Sequence, residues 1–309
     1  MKTVEISVVI PVYNEQDNIL LLYQKNKQVL DQLNKEYEII FVDDGSKDQT
    51  GKNLLSIKDS RLKVIKFRKN FGQTAAMDAG FKHAQGSIII TMDGDLQNDP
   101  EDIPKLLEKI NEGYDVVSGW RYYRKDPLTK HILSRLADKL RRFITKEKIH
   151  DSGCTLKAYK RECFKDLNLH GEMHRFIPAL LLWKGFKVTE IKVKHHRRYK
   201  GKTKYTMTRV IKGLLDLIVV KFWMQYSARP IHLFGSAGLI LSGLGSLITI
   251  YLIFMRQIFD QPIANRPVLQ FAILLIILGI QFIFFGILTD ILIKLYYKED
   301  PPYSIEKII

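Results

Sequence analysis

Cysteine is nearly absent: the chain holds two, Cys154 and Cys163, and neither belongs to a C-x-x-C spacing. A disulfide scaffold and a zinc ribbon are thereby excluded, and both thiols read as packing residues of a reducing compartment. No G-x-G-x-x-G follows an apolar strand and no G-x-x-x-x-G-K-[ST] occurs, so dinucleotide-binding and P-loop readings lack their phosphate-cradling glycine loops. Internal repeats and low-complexity segments are missing as well. The first apolar run, Ile6 to Val12, is short and is followed by Glu15 and Asp17, which is not the pattern of a secretory leader.

Net charge is lacking in one part only. After Pro230 five Lys/Arg face five Asp/Glu, so the whole excess of +15 sits in residues 1–230. Two uncharged stretches follow, Pro230 to Met255 and Pro267 to Thr289, separated by a segment with Arg256, Asp260 and Arg266. At about 1.5 Å per helical residue, each is long enough to cross a hydrocarbon core of roughly 30 Å. A hairpin of two spans leaves both ends on one side. Lys221 and Arg229 before it, and Lys294 and Lys298 after it, place that side in the cytoplasm by the positive-inside rule. Gly238, Ser242 and Ser246 form a small-residue stripe suited to packing on the second span or on a neighbouring subunit, so a homo-oligomer is among the expected partners.

Val- and Ile-rich runs recur at Ile6 to Val12, Glu38 to Val42, Leu62 to Phe67 and Ser87 to Met92, with helix-compatible segments between them. The alternation predicts an α/β fold with a mostly parallel sheet. Ligands of such sheets sit beyond the carboxyl ends of the strands. Polar residues cluster there: Tyr13, Asn14 and Glu15 after the first strand, Asp43 to Ser46 after the second, and Asp93, Gly94 and Asp95 after the fourth.

A bare D-x-D carries little weight, since chance supplies about one in a chain of this size. Its setting carries more. Asp93 and Asp95 end a strand, and Gly94 between them lets the backbone bend so that both carboxylates share one hard cation, Mg²⁺ or Mn²⁺, which in turn bridges phosphate oxygens. Asp43 and Asp44 alone would read as an Asx-type turn. His195 and His196 are adjacent in sequence, so they are not expected to face one ion.

The ordered blocks V-V-I-P-V-Y-N-E, V-D-D-G-S, N-F-G-Q and M-D-G-D-L-Q-N-D-P-E resemble those of the family 2 inverting glycosyltransferases with the GT-A fold. The resemblance is strongest to the polyprenyl- and dolichyl-phosphate sugar synthases, including bacterial enzymes with a C-terminal membrane hairpin. It implies that Pro11, Tyr13, Glu15 and Asp43 hold the nucleotide's base and ribose, while Asp93, Asp95 and Gln97 surround the metal. R-Y-K-G-K-T-K-Y, Arg198 to Tyr205, resembles a loop that closes over the diphosphate, with Arg198 and Lys204 stabilising the leaving group. Arg121 in S-G-W-R is implied as the acceptor-phosphate ligand and Asp151 in H-D-S-G-C-T-L-K-A-Y as a catalytic carboxylate. Leu128 to Thr145 reads as a basic amphipathic helix, either on an anionic membrane surface or packed on the core with a solvated basic face, and its Arg135 is a second candidate for the lipid phosphate.

The resemblance implies transfer of one sugar, from UDP-glucose or UDP-N-acetylglucosamine, to polyprenyl phosphate at the bacterial plasma membrane. The organisation expected is a catalytic domain over 1–205, interfacial helices over 206–229, a hairpin over 230–294 with spans at about 231–255 and 267–290, and a cytoplasmic tail over 295–309. Two rivals remain in view: a glycan-extending family 2 enzyme, which the lack of a Q-x-x-R-W block disfavours, and a non-catalytic nucleotide-sugar-binding membrane protein. Nucleic acid is not an expected partner, because carboxylates line three strand ends.

Overall fold

The computed structural model describes residues 3–122, 141–142, 144–145, 147–165, 167, 169, 171–197, 208–226, 229–260, 262 and 267–297. The chain forms two compact units, Met1–Val220 and Lys221–Ile309.

Unit one is built on a seven-stranded sheet: β1 (Ile6–Val12), β2 (Tyr37–Asp43), β3 (Leu62–Lys66), β4 (Ile88–Thr91), β5 (Val116–Trp120), β6 (Lys157–Lys160) and β7 (Val188–Lys192), in spatial order β3-β2-β1-β4-β6-β5-β7. The first four strands pair in parallel. β6 runs antiparallel between β4 and β5, and β7 joins β5 in parallel, so the sheet is mixed. β1 and β2 sit inside the sheet and are apolar nearly throughout, the pattern of strands covered on both faces. The edge strands β3 (LKVIK) and β7 (VTEIK) are half-buried and carry charges, which discourages edge-to-edge association.

Helices α1 (Ile19–Gln32), α2 (Thr50–Ser56), α3 (Gln73–His83) and α4 (Ile103–Asn111) lie between the first five strands, and α5 (Ile177–Trp183) precedes β7. The apolar side of α4, Ile103, Leu106, Leu107 and Ile110, joins the core formed with Ile6, Val8, Ile10, Phe41 and Ile90. The registers Val12↔Asp43 and Val9↔Thr91 put the carboxyl ends of β2, β1 and β4 side by side. Helix α6 (Thr208–Tyr226) follows. Its Leu217 and Val220 are buried, whereas Leu215, Ile218 and Val219 face outward.

Unit two is an antiparallel pair, α7 (Ile231–Phe259) and α8 (Pro267–Tyr297). Both are long and apolar enough to cross a membrane, and large apolar side chains such as Leu239, Leu247 and Phe284 point outward, the reverse of a water-facing bundle. Glycines set the approach of the two helices: a Cβ on Gly238 would lie 2.5 Å from Gly279 O, and one on Gly245 would lie 2.6 Å from Ala272 O. The small-residue stripe therefore packs against the second helix. Its third member is Gly245, not Ser246, which is exposed, because 3.6 residues per turn carries an i, i+4, i+7 set onto one face.

Candidate functional site

The loops after β1 and β2 are laced together. Asn14, at φ 54°, donates its N–H to Ser46 Oγ (2.9 Å) and accepts from Lys47 N at 2.9 Å. Glu15 N–H reaches Thr50 Oγ1 at 2.9 Å, and its carboxylate accepts from Asn18 Nδ2 at 2.7 Å. Asp43, at 0% exposure, accepts from Ser46 N through Oδ1 (2.8 Å), while its buried Oδ2 has no hydrogen-bond donor among the described residues. That oxygen lies where a Cβ on Gly51 would approach within 3.1 Å. Pro11 and Tyr13 stand on either side of Val12, the residue of β1 in register with Asp43. Asp44 turns the other way and accepts from Phe71 N (2.7 Å) and Gly72 N (2.9 Å), pinning the N-F-G-Q loop at the start of α3. Gly45 between these elements is doubly constrained, by φ 69° and by the Lys69 backbone where a side chain would stand.

β4 stops at Thr91, so Asp93 and Asp95 lie in the turn beyond it. Gly94 does not supply the bend by an unusual dihedral; the positive φ belongs to Leu96, at 62°. Gly94 is needed for proximity, since a Cβ there would come 2.7 Å from Val12 Cγ1. Asp93 accepts from Gln73 Nε2 at 2.9 Å, and its backbone N–H donates to Asn98 Oδ1 at 3.0 Å. Desolvation, and then the charge of Asp95, raise the Asp93 pKa above the ordinary carboxylate value; hydrogen bonds from Thr155 and Gln73 and the Arg121 charge offset part of this. Asp95 accepts from Gln97 N at 3.1 Å.

The rest of this loop is tied to the segment after β7. His196 N–H donates to Gln97 O (2.9 Å), Gln97 Nε2 to His196 O (3.3 Å), and His196 Nε2 pairs with Asp99 Oδ2 at 2.9 Å. Lys194 N–H reaches Asp102 Oδ2 at 2.6 Å. His195 is buried while His196 is exposed, so the two rings part company.

Arg121 and Asp151, thirty residues apart, form a fork: Nε to Oδ2 at 2.7 Å and Nη2 to Oδ1 at 2.8 Å, with Arg121 N–H also reaching Oδ2 at 3.2 Å. Burial alone would lower the Arg121 pKa; the fork outweighs it and raises the value, so the guanidinium stays charged. On the other side of the same strand end, Trp120 stacks on His150 with centroids 4.4 Å apart, and Glu190 of β7 holds His150 through its N–H at 2.8 Å.

The structure thus gathers Pro11, Tyr13, Glu15, Asp43, Asp93, Asp95 and Gln97 at three adjacent strand ends, with Arg121 and Asp151 at the end of β5. Arg135, Arg198 and Lys204 lie outside the described residues, as does most of the expected helix from Leu128 to Thr145. Lys157 was not anticipated. It is 3% exposed on β6, and burial lowers its pKa from 10.5 to about 8. Its signal in the sequence was a single lysine inside an otherwise uncharged stretch, Ser152 to Tyr159, but the strand is too short for the pattern to stand out.

Among the described residues no group of three or more His, Cys, Asp and Glu is placed to hold a metal by itself. Two desolvated carboxylates whose mutual charge raises one pKa nevertheless fit a hard divalent cation that takes its remaining ligands from water and phosphate.

Residues 7–167 match the model of the glycosyl transferase family 2. The dodecaprenyl-phosphate galacturonate synthase of Rhizobium johnstonii is 39% identical over 317 residues, covering 100% of this chain and 94% of the relative. The undecaprenyl-phosphate 4-deoxy-4-formamido-L-arabinose transferase of Klebsiella pneumoniae is 35% identical over 312 residues, covering 99% and 94%. Among solved structures, the glucosyl-3-phosphoglycerate synthase of Mycobacterium tuberculosis, in complex with Mn²⁺, UDP and glucosyl-3-phosphoglycerate, superposes with TM-score 0.54 at 18% identity over 70% of this chain and 79% of that one. The mannosyl-3-phosphoglycerate synthase of Rubrobacter xylanophilus gives TM-score 0.57 at 14% identity over 71% and 74%. These structural likenesses speak for a shared GT-A fold. With its strand-end acidic pair, its mixed α/β sheet and two relatives aligned nearly end to end, the chain belongs to glycosyltransferase family 2.

Proposed function

We propose that this chain transfers a single sugar from a nucleotide-sugar to polyprenyl phosphate, with inversion at the anomeric carbon, on the cytoplasmic side of a membrane that α7 and α8 span. The observation that carries the reading is the approach of a buried and permanently charged Arg121, at the end of β5, to the acidic pair Asp93 and Asp95 beyond β4, close enough for its charge to act on Asp93. A diphosphate held through a cation and a second phosphate held by a guanidinium need that combination.

Asp43 and the loops after β1 and β2 form the nucleoside side. The donor-free Oδ2 of Asp43 suits an N–H of a base or a hydroxyl of ribose. Asp93 and Asp95, with Gln97 beside them, would hold Mg²⁺ or Mn²⁺, which when bound supplies positive charge to the oxygens of the leaving diphosphate. Arg121 meets the acceptor phosphate, whose oxygen attacks the anomeric carbon from the face opposite the leaving group. That phosphate, with a second pKa near 6, is largely ionised at neutral pH and needs little help from a base. Asp151 therefore serves by fixing the Arg121 guanidinium rather than by taking a proton. Arg198 and Lys204 are assigned to the leaving diphosphate and Arg135 to the lipid phosphate on sequence grounds.

The names of the relatives carry galacturonate and 4-deoxy-4-formamido-L-arabinose, and neither glucose nor N-acetylglucosamine. The donor sugar is accordingly to be sought among all four. Lys221, Arg229, Lys294 and Lys298 around the hairpin support a cytoplasmic placement of the catalytic unit and both termini.

The experiment is calorimetric titration of UDP and UDP-sugars into the full-length protein in detergent, with and without Mn²⁺. Binding should require the ion in the wild type and be lost in Asp95→Ala. Metal-independent binding of equal strength in both proteins would remove the acidic pair from the reading.

A further inference from the structure

Lys157 has no part in the chemistry above, yet it is buried next to it. β6 places it between Thr91 of β4 and Ser118 of β5, in register with both. Its ammonium donates to Ser152 O at 3.1 Å and to Cys154 O. Both acceptors belong to the turn that begins at Asp151. The turn's own backbone closure, Cys154 N to Asp151 O, is long at 3.4 Å. A cation with three donors and almost no contact with water is a costly way to hold a turn, unless the position of the turn matters.

The turn aims the Asp151 carboxylate, and Asp151 engages Nε and Nη2 of Arg121. Nη1 is the guanidinium nitrogen that the fork does not engage. Gly153, at the apex, passes so close beneath the guanidinium that a Cβ there would lie 3.2 Å from Nη2 and 3.6 Å from Asp151 Oδ1. A small displacement of residues 151–154 is therefore passed directly to the direction in which Nη1 points.

We propose that Lys157 is a positioning residue for the acceptor phosphate: through the carbonyls of Ser152 and Cys154 it fixes the Asp151–Cys154 turn and thereby aims Arg121. The inference rests on the functional reading above for the identity of the acceptor, but the anchoring itself does not. The titratable groups around the ammonium are Asp151 and the Cys154 thiol on the same turn, Arg121 at the end of β5 and Asp93 beyond β4; burial pushes the thiol's pKa up to about 11, so it stays neutral at pH 7. The nucleoside side, at the ends of β1 and β2, lies two and three strands away across the sheet and should not sense its loss.

The test uses full-length protein in lipid nanodiscs, with Lys157→Met, Lys157→Arg and Gly153→Ala. Amide hydrogen exchange over residues 150–156 reads the anchoring without any substrate. It should accelerate at least tenfold in Lys157→Met while β1 and β2 keep wild-type rates. In transfer assays with undecaprenyl phosphate, the acceptor KM should rise at least tenfold and the donor KM should stay within twofold. Lys157→Arg, which can still donate to both carbonyls, should restore part of the acceptor KM. If Lys157→Met fails to fold, Gly153→Ala disturbs the same turn from the opposite side and should give the same selective rise. Unchanged exchange over 150–156, or equal effects on donor KM, acceptor KM and kcat, would overturn the proposal. A wild-type protein that transfers nothing to undecaprenyl phosphate would sink the functional reading instead, and the exchange data would still decide whether Lys157 holds the turn.

Discussion

Removing either partner of the Arg121–Asp151 fork should destabilise the catalytic unit far more than removing both. The two side chains are 13% and 6% exposed, so solvent screens the pair weakly. Deleting one partner strands a buried charge, at a cost of about 3–5 kcal/mol, whereas exchanging both for apolar groups of similar volume is often close to neutral. Arg121→Met and Asp151→Leu should each fall in that range, and the double variant should recover most of the loss. The coupling energy then reaches or exceeds the roughly 3 kcal/mol upper end found for contacting residues. For a unit of this size, 1 kcal/mol moves the unfolding midpoint by about 2–4 °C, so each single variant should lose roughly 6–20 °C. Thermal unfolding of the full-length protein in detergent, followed by tryptophan fluorescence, gives the three differences. Single losses below about 1 kcal/mol that simply add would be the behaviour of an exposed surface pair and would refute the reasoning.

Gly94→Ala should cost about 1–3 kcal/mol by overpacking against Val12, and it should weaken Mn²⁺-dependent UDP binding because the Asp93–Asp95 turn must shift; denaturant unfolding and calorimetry read the two effects. Asp93→Asn should behave oppositely in the two assays. Its carboxylate is held above its ordinary pKa, so removing the charge should stabilise the metal-free protein at pH 7 while abolishing metal-dependent UDP binding. Lys157 is protonated in both folded and unfolded chains below about pH 8; between about 8 and 10.5 the unfolded chain binds the extra proton, so the stability of wild type relative to Lys157→Met should rise across that window and stay flat below it. Gly279→Leu should separate α7 from α8, because Gly238 O lies 2.6 Å from where its Cβ would stand, and a cysteine cross-link between the two helices should then form poorly.

β1, β2 and β4 were legible as compact apolar runs and β3 by its Val64–Ile65 centre in step with them, and the positions of Asp43, Asp93 and Asp95 followed from the rule that ligands gather at strand ends. β5, β6 and β7 fell outside that alternation: β5 has only Val116 and Val117 before Ser118 and Gly119, and β6 and β7 carry Lys157, Lys160, Glu190 and Lys192. The Arg121–Asp151 fork depends on β6 returning antiparallel beside β5, a tertiary event that no local pattern encodes. The same holds for the ties between the loop after Asp95 and residues 194–196. Gly94 was recognised as necessary for the wrong reason: sequence suggests dihedral freedom, but only the neighbouring strand reveals the contact with Val12. In the hairpin the stripe was visible, and its drift from Ser246 to Gly245 reflects the difference between a four-residue spacing and the true helical repeat.

The most direct measurement is the mass of the lipid product. Membranes holding the full-length chain would be given undecaprenyl phosphate, Mn²⁺ and, in turn, the nucleotide-sugars of glucose, N-acetylglucosamine, galacturonate and 4-deoxy-4-formamido-L-arabinose. One of them should yield undecaprenyl phosphate heavier by a single sugar residue, with none formed by Asp95→Ala, if the acidic pair serves transfer to lipid phosphate. Sugar appearing on a free glycan with the lipid unmodified, or the same lipid product from Asp95→Ala at the wild-type rate, would contradict that reading.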